Sequence, residues 1–289
     1  MLGVSTYSFG KYQGTMNMEQ IAEKTKKIGF DSIEFAGLGI SGFEKELLLD
    51  TARDYKEICS KYNLKITSYT IGADFLNPRN GGTLSDEIKA VMDEVDIAKA
   101  LGTYKMRHDI SQGIDGNIKL MDFFKSLKIL ADSSREVTSY AEDLGIKTMF
   151  ENHGYFMQSS ERCQALIEEV AHPNFGSLID IGNFMCVDEE PITAIKRLLP
   201  YAFHVHLKDF HIIPFYEKVD NLDISYFNSS NGTYLAGAIL GQGNINVKEL
   251  IKIIKNSNYQ GDFSLEFEGA EDNLTGIKEG FDFAKSCLM

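Results

Sequence analysis

The sequence has no long apolar run, few prolines and no closely spaced cysteine pair. No stretch approaches 18 uninterrupted apolar residues, so we expect no membrane-spanning helix. None of the four cysteines forms a CxxC pair, and a chain of 289 residues does not need disulfides for stability, which favours reduced thiols. The first residues, MLGVSTYSFGKYQG, lack a basic region followed by an apolar core. We therefore expect no secretory leader and a cytoplasmic protein.

Basic residues are outnumbered by acidic ones. The chain has 29 Lys and Arg against 42 Asp and Glu, a formal net charge of -13. A field of that sign repels nucleic acid and anionic membranes, and no Lys/Arg cluster indicates a local basic groove. We therefore expect a small-molecule partner and neither nucleic acid nor a membrane. With 43% hydrophobic and 25% charged residues, the composition is that of a globular protein with a large core.

A helical stretch, a Gly or Asn and a short β-rich run recur along the chain. Gly29, Asn63, Gly102 and Gly145 each follow a helical stretch, and both residue types tolerate the left-handed conformation that ends a helix. Apolar periodicity predicts helices over about 18–28, 42–62, 84–101, 117–144, 158–170, 246–257 and 272–287. The predicted strands are 2–7, 31–36, 64–70, 103–108, 146–152, 175–181, 202–207 and 262–268.

Eight strands that alternate with helices favour a closed parallel β/α barrel. The alternative is an open doubly wound sheet, which is less favoured because no GxGxxG motif follows the first strand. With only five prolines and no Ser/Pro-rich linker, we expect one domain over 1–289. A long segment, about 208–244, separates the seventh strand from its helix and has no helical stripe. Long loops of this kind are usually lids, binding loops or disorder, and in a barrel this one belongs to the catalytic face.

Acidic or imidazole side chains end four neighbouring strands. Glu151, Asp180, His206 and Glu266 end the fifth, sixth, seventh and eighth strands. Charged side chains rarely enter a barrel core unless they are paired or bind a metal. One imidazole and three carboxylates form an oxygen-dominated set that suits Mn²⁺ or Mg²⁺, with Co²⁺ or Zn²⁺ as further candidates. The sequence therefore predicts one divalent metal ion at the strand ends.

Strand parity leaves alternatives within this set. His204 shares a strand face with His206, and Glu268 has the same parity as Glu266, so each is a competing ligand. Asp180 has the alternative role of capping the helix that follows it. We favour His206, and parity leaves Glu266 and Glu268 open.

Other polar residues near the strand ends are candidate substrate contacts. Each also has a structural alternative, such as a salt bridge, a loop hydrogen bond or a place in the core. The expected substrate-binding residues are Glu34, Arg107, His108, His153, Asn183 and Lys208.

Four segments resemble the successive motifs of the xylose isomerase-like TIM-barrel superfamily: GIKTMFENHG, LIDIGN, HVHLKD and YQGDFSLEFE. This superfamily includes sugar-phosphate isomerases and epimerases, inosose isomerases and dehydratases, and ketose 3-epimerases. The resemblance covers essentially the whole chain and implies a single (β/α)8 TIM barrel. It implies that Glu151, Asp180, His206 and Glu266 bind the metal, with Glu151 and Glu266 as the proton-transfer pair. The chain departs from the pattern at Asn183, where many relatives have His, and at Lys208, since ketose 3-epimerases have Arg shortly after the metal-binding His.

These observations support a metal-dependent isomerase or epimerase of a small sugar, sugar phosphate or cyclitol. Its proton transfer would pass through a metal-stabilised enediolate. The alternative is a metal-dependent dehydratase, a lyase that acts on a keto-polyol such as an inosose. An endonuclease IV-like hydrolase is disfavoured by the six histidines and the net charge of -13, and a non-catalytic binding protein is the remaining hypothesis. We expect a homodimer, the commonest oligomer.

Overall fold

Short runs rich in β-branched and aromatic residues form the wall of a closed parallel barrel. The computed structural model describes residues 1–12, 14–40, 44–113, 119–214 and 225–289. Its strands are β1 (Leu2–Ser5), β2 (Ser32–Ala36), β3 (Lys65–Ile71), β4 (Lys105–His108), β5 (Lys147–Glu151), β6 (Phe175–Asp180), β7 (Ala202–Leu207), β8 (Asp209–Ile213), β9 (Phe227–Asn228), β10 (Tyr234–Ala238) and β11 (Asp262–Leu265). The barrel order is β1-β11-β7-β6-β5-β4-β3-β2, so the predicted closed barrel is confirmed and the open sheet was the wrong alternative.

The helices follow the predicted pattern with one addition. They are α1 (Met18–Ile28), α2 (Lys45–Lys61), α3 (Leu84–Leu101), α4 (Leu120–Asp143), α5 (Ser160–Val170), α6 (Pro191–Leu198), α7 (Val247–Lys255) and α8 (Asn273–Leu288). The predicted starts at 42 and 117 lie outside the described residues. The short helix α6 was not predicted. It has only eight residues, begins at Pro191 and is followed closely by Pro200. In the part of the chain that the structure describes, no helix is both long and apolar enough to cross a membrane.

The structure confirms the prediction that Gly and Asn residues mark the ends of helices. Asn63, Gly102 and Gly145 have φ angles of 52°, 81° and 72°, in the left-handed region, and Gly29 has a φ of 121°. Each of these residues therefore follows the end of a helix two or three residues before the first residue of a strand. This repeated connection keeps the carboxyl ends of the barrel strands on one face, where active sites form in such barrels.

The segment about 208–244 contains more structure than the predicted loop. Strands β8, β10 and β9 form a separate antiparallel sheet, in that order, and residues 215–224 lie outside the described residues. The buried Asp209 carboxylate anchors this segment. It accepts hydrogen bonds from the backbone amides of Phe210 at 2.8 Å, Gly241 and Gly243 at 3.0 Å, and Ile245 at 3.1 Å. Asp209 therefore joins the start of the small sheet to the chain that leads into α7.

We expect Asp209→Ala to loosen residues 239–245 and to lower the free energy of unfolding. The substitution leaves four amides without their shared acceptor, and hydrogen bonds to a charged group contribute about 1.5–3 kcal/mol each when considered singly. Urea unfolding measures the stability, and hydrogen exchange measures the local opening. The Asp209→Asn variant keeps one acceptor oxygen and should show a smaller effect. Equal urea midpoints and equal exchange in Asp209→Ala and the unsubstituted protein would contradict this role.

Candidate metal centre

The carboxyl ends of the barrel strands surround a cavity of about 450 Å³. Several residues predicted for the site line this cavity: Arg107, Glu151, His153, His206, Lys208 and Glu266. Glu268, the competing candidate for Glu266, also lines it. The cavity wall is therefore unusually rich in charge for a barrel interior.

The four predicted ligands lie together. Glu151, Asp180, His206 and Glu266 each offer one donor atom, and these atoms all lie within 4.8 Å of one another. Nδ1 of His206 is 3.6 Å from Glu266 Oε2, 3.8 Å from Asp180 Oδ2 and 4.0 Å from Glu151 Oε1. Glu151, Asp180 and His206 lie on the adjacent strands β5, β6 and β7, and Glu266 directly follows the next strand, β11, so the strand order of the barrel brings the four residues together.

The structure separates the competing candidates by height in the barrel. His204 does not belong to the group of four: its Nε2 atom contacts Ser264 Oγ at 2.8 Å, and with Glu34 and His206 it forms a second buried group whose donor atoms lie within 4.8 Å of one another. Glu268 lies beyond the end of β11, where its Oε1 atom is 3.6 Å from Lys208 Nζ and its Oε2 atom is 3.4 Å from the Tyr7 hydroxyl. The geometry thus groups His206 and Glu266 with the other two carboxylates.

Asp180 makes the capping contacts that the sequence offered as its alternative role, and its second oxygen belongs to the group of four. Its Oδ1 atom accepts hydrogen bonds from the amides of Gly182 at 2.8 Å and Asn183 at 3.0 Å, which caps the following helical turn. Its Oδ2 atom faces His206. Asn152 fixes the backbone of Asp180, since its side chain accepts from the Asp180 amide at 2.8 Å and donates to the Asp180 carbonyl at 2.9 Å. Asn152 was not predicted as a site residue, although it directly follows Glu151.

Two side chains hold the Glu151 carboxylate in place. Arg107 Nη2 donates to Glu151 Oε2 at 2.6 Å, and Asn183 Nδ2 donates to Glu151 Oε1 at 2.9 Å. Arg107 also contacts Asp109 at 3.0 Å. Asn183, which was predicted as a substrate contact, therefore orients a carboxylate of the candidate metal centre.

Lys208 places a buried ammonium beside the carboxylates. Its Nζ atom lies 2.6 Å from Glu266 Oε2 and 3.3 Å from Asp180 Oδ2. Burial opposes the charged form of Lys208, but Asp180, Glu266 and Glu268 outweigh it and raise its pKa well above the usual value. Burial would likewise raise the pKa of Glu266, yet Lys208 and His206 hold it well below its ordinary range. The pKa of Asp180 is raised to about 6, chiefly because burial disfavours its charge.

The residues present fit a divalent cation. Among the described residues, Asp180 Oδ2 and His206 Nδ1 are buried and have no hydrogen-bond partner. The His206 ring is turned so that its other nitrogen, Nε2, lies 2.7 Å from Glu34 Oε1. Three carboxylates and one imidazole nitrogen are a donor set that Mn²⁺, Mg²⁺, Co²⁺ and Zn²⁺ all accept. These two atoms, which make no hydrogen bond although Lys208 Nζ lies 3.3 Å from Asp180 Oδ2, therefore face a position suited to a metal ion.

The remaining predicted substrate contacts fall into two groups. His153 lines the cavity, with Nδ1 at 3.6 Å from Asp109 Oδ1. Glu34 and His108 are fully buried and do not line it. Glu34 lies beneath His206, whereas His108 packs against Phe75, and burial lowers the pKa of the His108 ring to about 4. The structure does not bring these two side chains to the cavity: Glu34 lies below the end of β2, and His108, although it ends β4, has the opposite strand parity to the cavity-lining Arg107.

Comparisons with known proteins agree with this architecture. The family model for the xylose isomerase-like TIM barrel matches residues 22–287. A curated inosose dehydratase of Bacillus anthracis is 30% identical over 141 residues, which are 48% of this chain and 46% of the relative. The matched stretch thus spans about half the length of this relative.

Solved structures with the same fold cover almost the whole chain. The IOLI protein with a zinc atom bound has a TM-score of 0.76 and 18% identity, and covers 99% of this chain and 97% of its own. An L-ribulose 3-epimerase has a TM-score of 0.74 and 16% identity, with coverage of 99% and 94%. Since the family model matches nearly the whole barrel, this chain belongs to the xylose isomerase-like TIM-barrel family.

Proposed function

We propose that this protein is a divalent-metal-dependent isomerase or epimerase of a small sugar, sugar phosphate or cyclitol. The observation that carries the proposal is the group of Glu151, Asp180, His206 and Glu266, with donor atoms within 4.8 Å of one another at a polar cavity. The similar proteins support the substrate class, since one is named an inosose dehydratase and another an L-ribulose 3-epimerase. A third similar structure contains zinc.

The four ligands give the cavity its chemistry. A divalent cation bound there would polarise a substrate carbonyl and thereby acidify the hydrogen on the neighbouring carbon. Arg107 and Lys208 add positive charge on two sides of the cavity. Arg107 forms an ion pair with Glu151, and Lys208 forms one with Glu266. Preorganised charges of this kind stabilise negative charge that develops on substrate oxygens.

Glu151 and Glu266 are the proposed proton carriers. Glu151 ends β5 and Glu266 follows β11, and strands β6 and β7 lie between them in the barrel, so the two carboxylates approach the cavity from different sides. If one removes a carbon-bound proton and the other returns a proton to the opposite face, the product is an epimer. If one carboxylate moves the proton to the carbonyl carbon while the neighbouring hydroxyl proton passes to the carbonyl oxygen, an aldose and a ketose interconvert.

The second candidate function is dehydration of a keto-polyol. It is favoured by the similarity to an inosose dehydratase. The same carboxylates would remove the proton, and a hydroxyl group would leave from the adjacent carbon as water once it is protonated. His153 lines the cavity, and the hydrogen bond to Asp109 raises the pKa of its ring, so its imidazolium is the candidate donor of that proton.

Turnover in D₂O distinguishes the two candidates. Protein loaded with Mn²⁺, Co²⁺, Zn²⁺ or Mg²⁺ would be incubated with ketoses, sugar phosphates and inososes, and the products analysed by NMR and mass spectrometry. We expect deuterium at one carbon of an isomeric product. A product lighter by one water would instead select the dehydratase. If no substrate exchanges a C–H hydrogen or loses water with any of the metals, both proposals are wrong.

We also propose, as the sequence predicts, that residues 1–289 form one domain and that the protein is a cytoplasmic homodimer. Light scattering after size-exclusion chromatography measures the oligomeric state, and a mass near 32.4 kDa would contradict the dimer.

A further inference from the structure

A series of buried polar side chains continues below the candidate metal centre into the barrel. Lys105, His204, Glu34 and Asp262 are between 0% and 6% exposed, and the pairing register sets Asp262 beside His204 on neighbouring strands. Burying so many ionisable groups is unfavourable unless each has a partner, and the partners here are one another. The proposed metal chemistry uses none of these four side chains directly.

The lower part of the series has a defined hydrogen-bond direction. Lys105 Nζ lies 2.9 Å from Asp262 Oδ2, 3.2 Å from the Phe203 carbonyl and 3.3 Å from His204 Nδ1. An ammonium group has three donors and no acceptor, so it donates to all three atoms. Burial lowers the pKa of Lys105, but the Asp262 carboxylate counteracts it. His204 Nδ1 therefore acts as an acceptor, and this ring carries its proton on Nε2.

The upper part of this series runs from His204 to His206. The proton on His204 Nε2 faces Ser264 Oγ at 2.8 Å, and Glu34 Oε2, a buried oxygen that makes no hydrogen bond with the described residues, lies 3.2 Å from the same nitrogen. The other oxygen of Glu34, Oε1, lies 2.7 Å from His206 Nε2. A carboxylate only accepts, and His206 therefore carries a proton on Nε2. Its Nδ1 atom is the one that faces Glu151, Asp180 and Glu266.

We propose that Lys105, His204 and Glu34 form a chain of hydrogen bonds and close polar contacts, in which Glu34 accepts from His206 Nε2 and thereby leaves Nδ1 available to a metal ion. The inference rests on the proposed function, because it concerns the same metal centre. These are positioning residues: they act through His206 and do not contact the cavity. A carboxylate that accepts from a metal-binding imidazole fixes the ring and makes it a better donor, and losing such a partner typically costs 10–100-fold in metal affinity.

The test titrates Co²⁺ into metal-free protein and follows its visible absorption. Glu34→Gln keeps the volume of the side chain but lets an amide N–H face His206 Nε2, which favours the proton on the wrong nitrogen. We expect its Co²⁺ affinity to fall about 10–100-fold. Lys105→Met removes the first donor, so the His204 proton is free to move to Nδ1 and leave a bare Nε2 facing Glu34. We expect a loss of about 10-fold, the lower end of the same range.

A matched control separates this effect from general damage to the barrel. Thr148 on β5 is fully buried and its hydroxyl lies 2.6 Å from that of Thr138, outside the chain of hydrogen bonds. We expect Thr148→Val to lower thermal stability without changing Co²⁺ affinity. Proton-nitrogen NMR of the histidine rings gives a direct readout: the His204 proton should lie on Nε2 in the unsubstituted protein and move in Lys105→Met.

The outcomes distinguish this inference from the proposed function. If the unsubstituted protein binds Co²⁺ and both Glu34→Gln and Lys105→Met bind it equally well, the chain of hydrogen bonds is overturned and the metal centre stands. Should Lys105→Met fail to fold, Glu34→Gln alone decides the question, since it preserves the packing. If the unsubstituted protein binds no Co²⁺, Mn²⁺ or Zn²⁺, the proposed function is wrong and the inference falls with it.

Discussion

Replacing Glu266 by glutamine should remove the bound metal and lower turnover by about 10²–10⁴-fold, the usual contribution of a positioned acid or base. The amide removes one of three carboxylates from the group and cannot take up a proton from carbon. In the unsubstituted protein, the Lys208 ammonium lies 2.6 Å from the Glu266 carboxylate. The substitution leaves this ammonium without its nearest counter-charge. Both effects act against a metal ion at this position, and Glu151→Gln should act in the same direction.

Elemental analysis of purified protein measures the metal directly. We expect about one divalent ion per chain in the unsubstituted protein, retained through gel filtration after loading with Mn²⁺, and almost none in Glu266→Gln. Turnover is then measured with excess metal, so that loss of binding and loss of proton transfer are observed separately.

Glu268→Gln is the matched control on the same stretch of chain. Glu268 contacts Lys208 and Tyr7 but lies outside the group of four, so its glutamine variant should keep the metal. If Glu268→Gln loses the ion and Glu266→Gln keeps it, Glu268 is the metal ligand and Glu266 is not. If Glu151→Gln and Glu266→Gln both keep one ion per chain, the candidate centre is not where the metal binds.

The barrel was predictable because its signals are local. Asn63, Gly102 and Gly145 mark the turns between helices and strands, and such turns repeated along the chain leave a parallel barrel as the simplest arrangement. The small sheet around β8 was not predictable in the same way. It depends on contacts between distant segments, such as those of Asp209 with Gly241 and Gly243, which have no periodic pattern in the sequence.

The candidate site was likewise predictable from the sequence only in part. Strand parity indicates which side chains point into the barrel, but it does not give their height along the barrel axis. Glu34 and His204 have inward parity, and the structure places both in a layer below the cavity. Height follows from the register between strands, which only long-range packing determines. Lys105 was missed for a related reason, since a lysine two residues before Arg107 is ordinarily exposed.

Replacing Lys208 by methionine should destabilise the metal-free protein strongly. The Lys208 ammonium is 5% exposed and contacts Glu266, Asp180 and Glu268. Removing one partner of a buried ion pair leaves uncompensated charge and costs about 3–5 kcal/mol. For a chain somewhat longer than 250 residues, 1 kcal/mol lowers the melting temperature by about 2–4 °C at most. We therefore expect a decrease of roughly 6–20 °C, measured by calorimetry after removal of metal.

Lys45→Met is the matched control for this charge removal. Lys45 Nζ lies 2.5 Å from both Asp93 and Asp96, but its side chain is 39% exposed, so water screens these pairs. Exposed ion pairs typically contribute about 0–1 kcal/mol. The two variants thus remove the same group from acidic partners at similar distances, and they differ chiefly in burial. A similar decrease in both would mean that burial of Lys208 has no special cost.

Addition of metal should reverse most of the effect in Lys208→Met. A divalent ion bound by Glu151, Asp180, His206 and Glu266 supplies the positive charge that the variant lacks, and a ligand that binds only the folded state stabilises it. Lys208 and the metal share Asp180 and Glu266, so saturating Mn²⁺ should raise the melting temperature more in Lys208→Met than in the unsubstituted protein. The same rise in both would show that the ammonium and the ion do not share these carboxylates, and that the metal binds elsewhere. A larger rise in the variant would locate the ion beside Lys208 by energetics alone, without any assay of turnover.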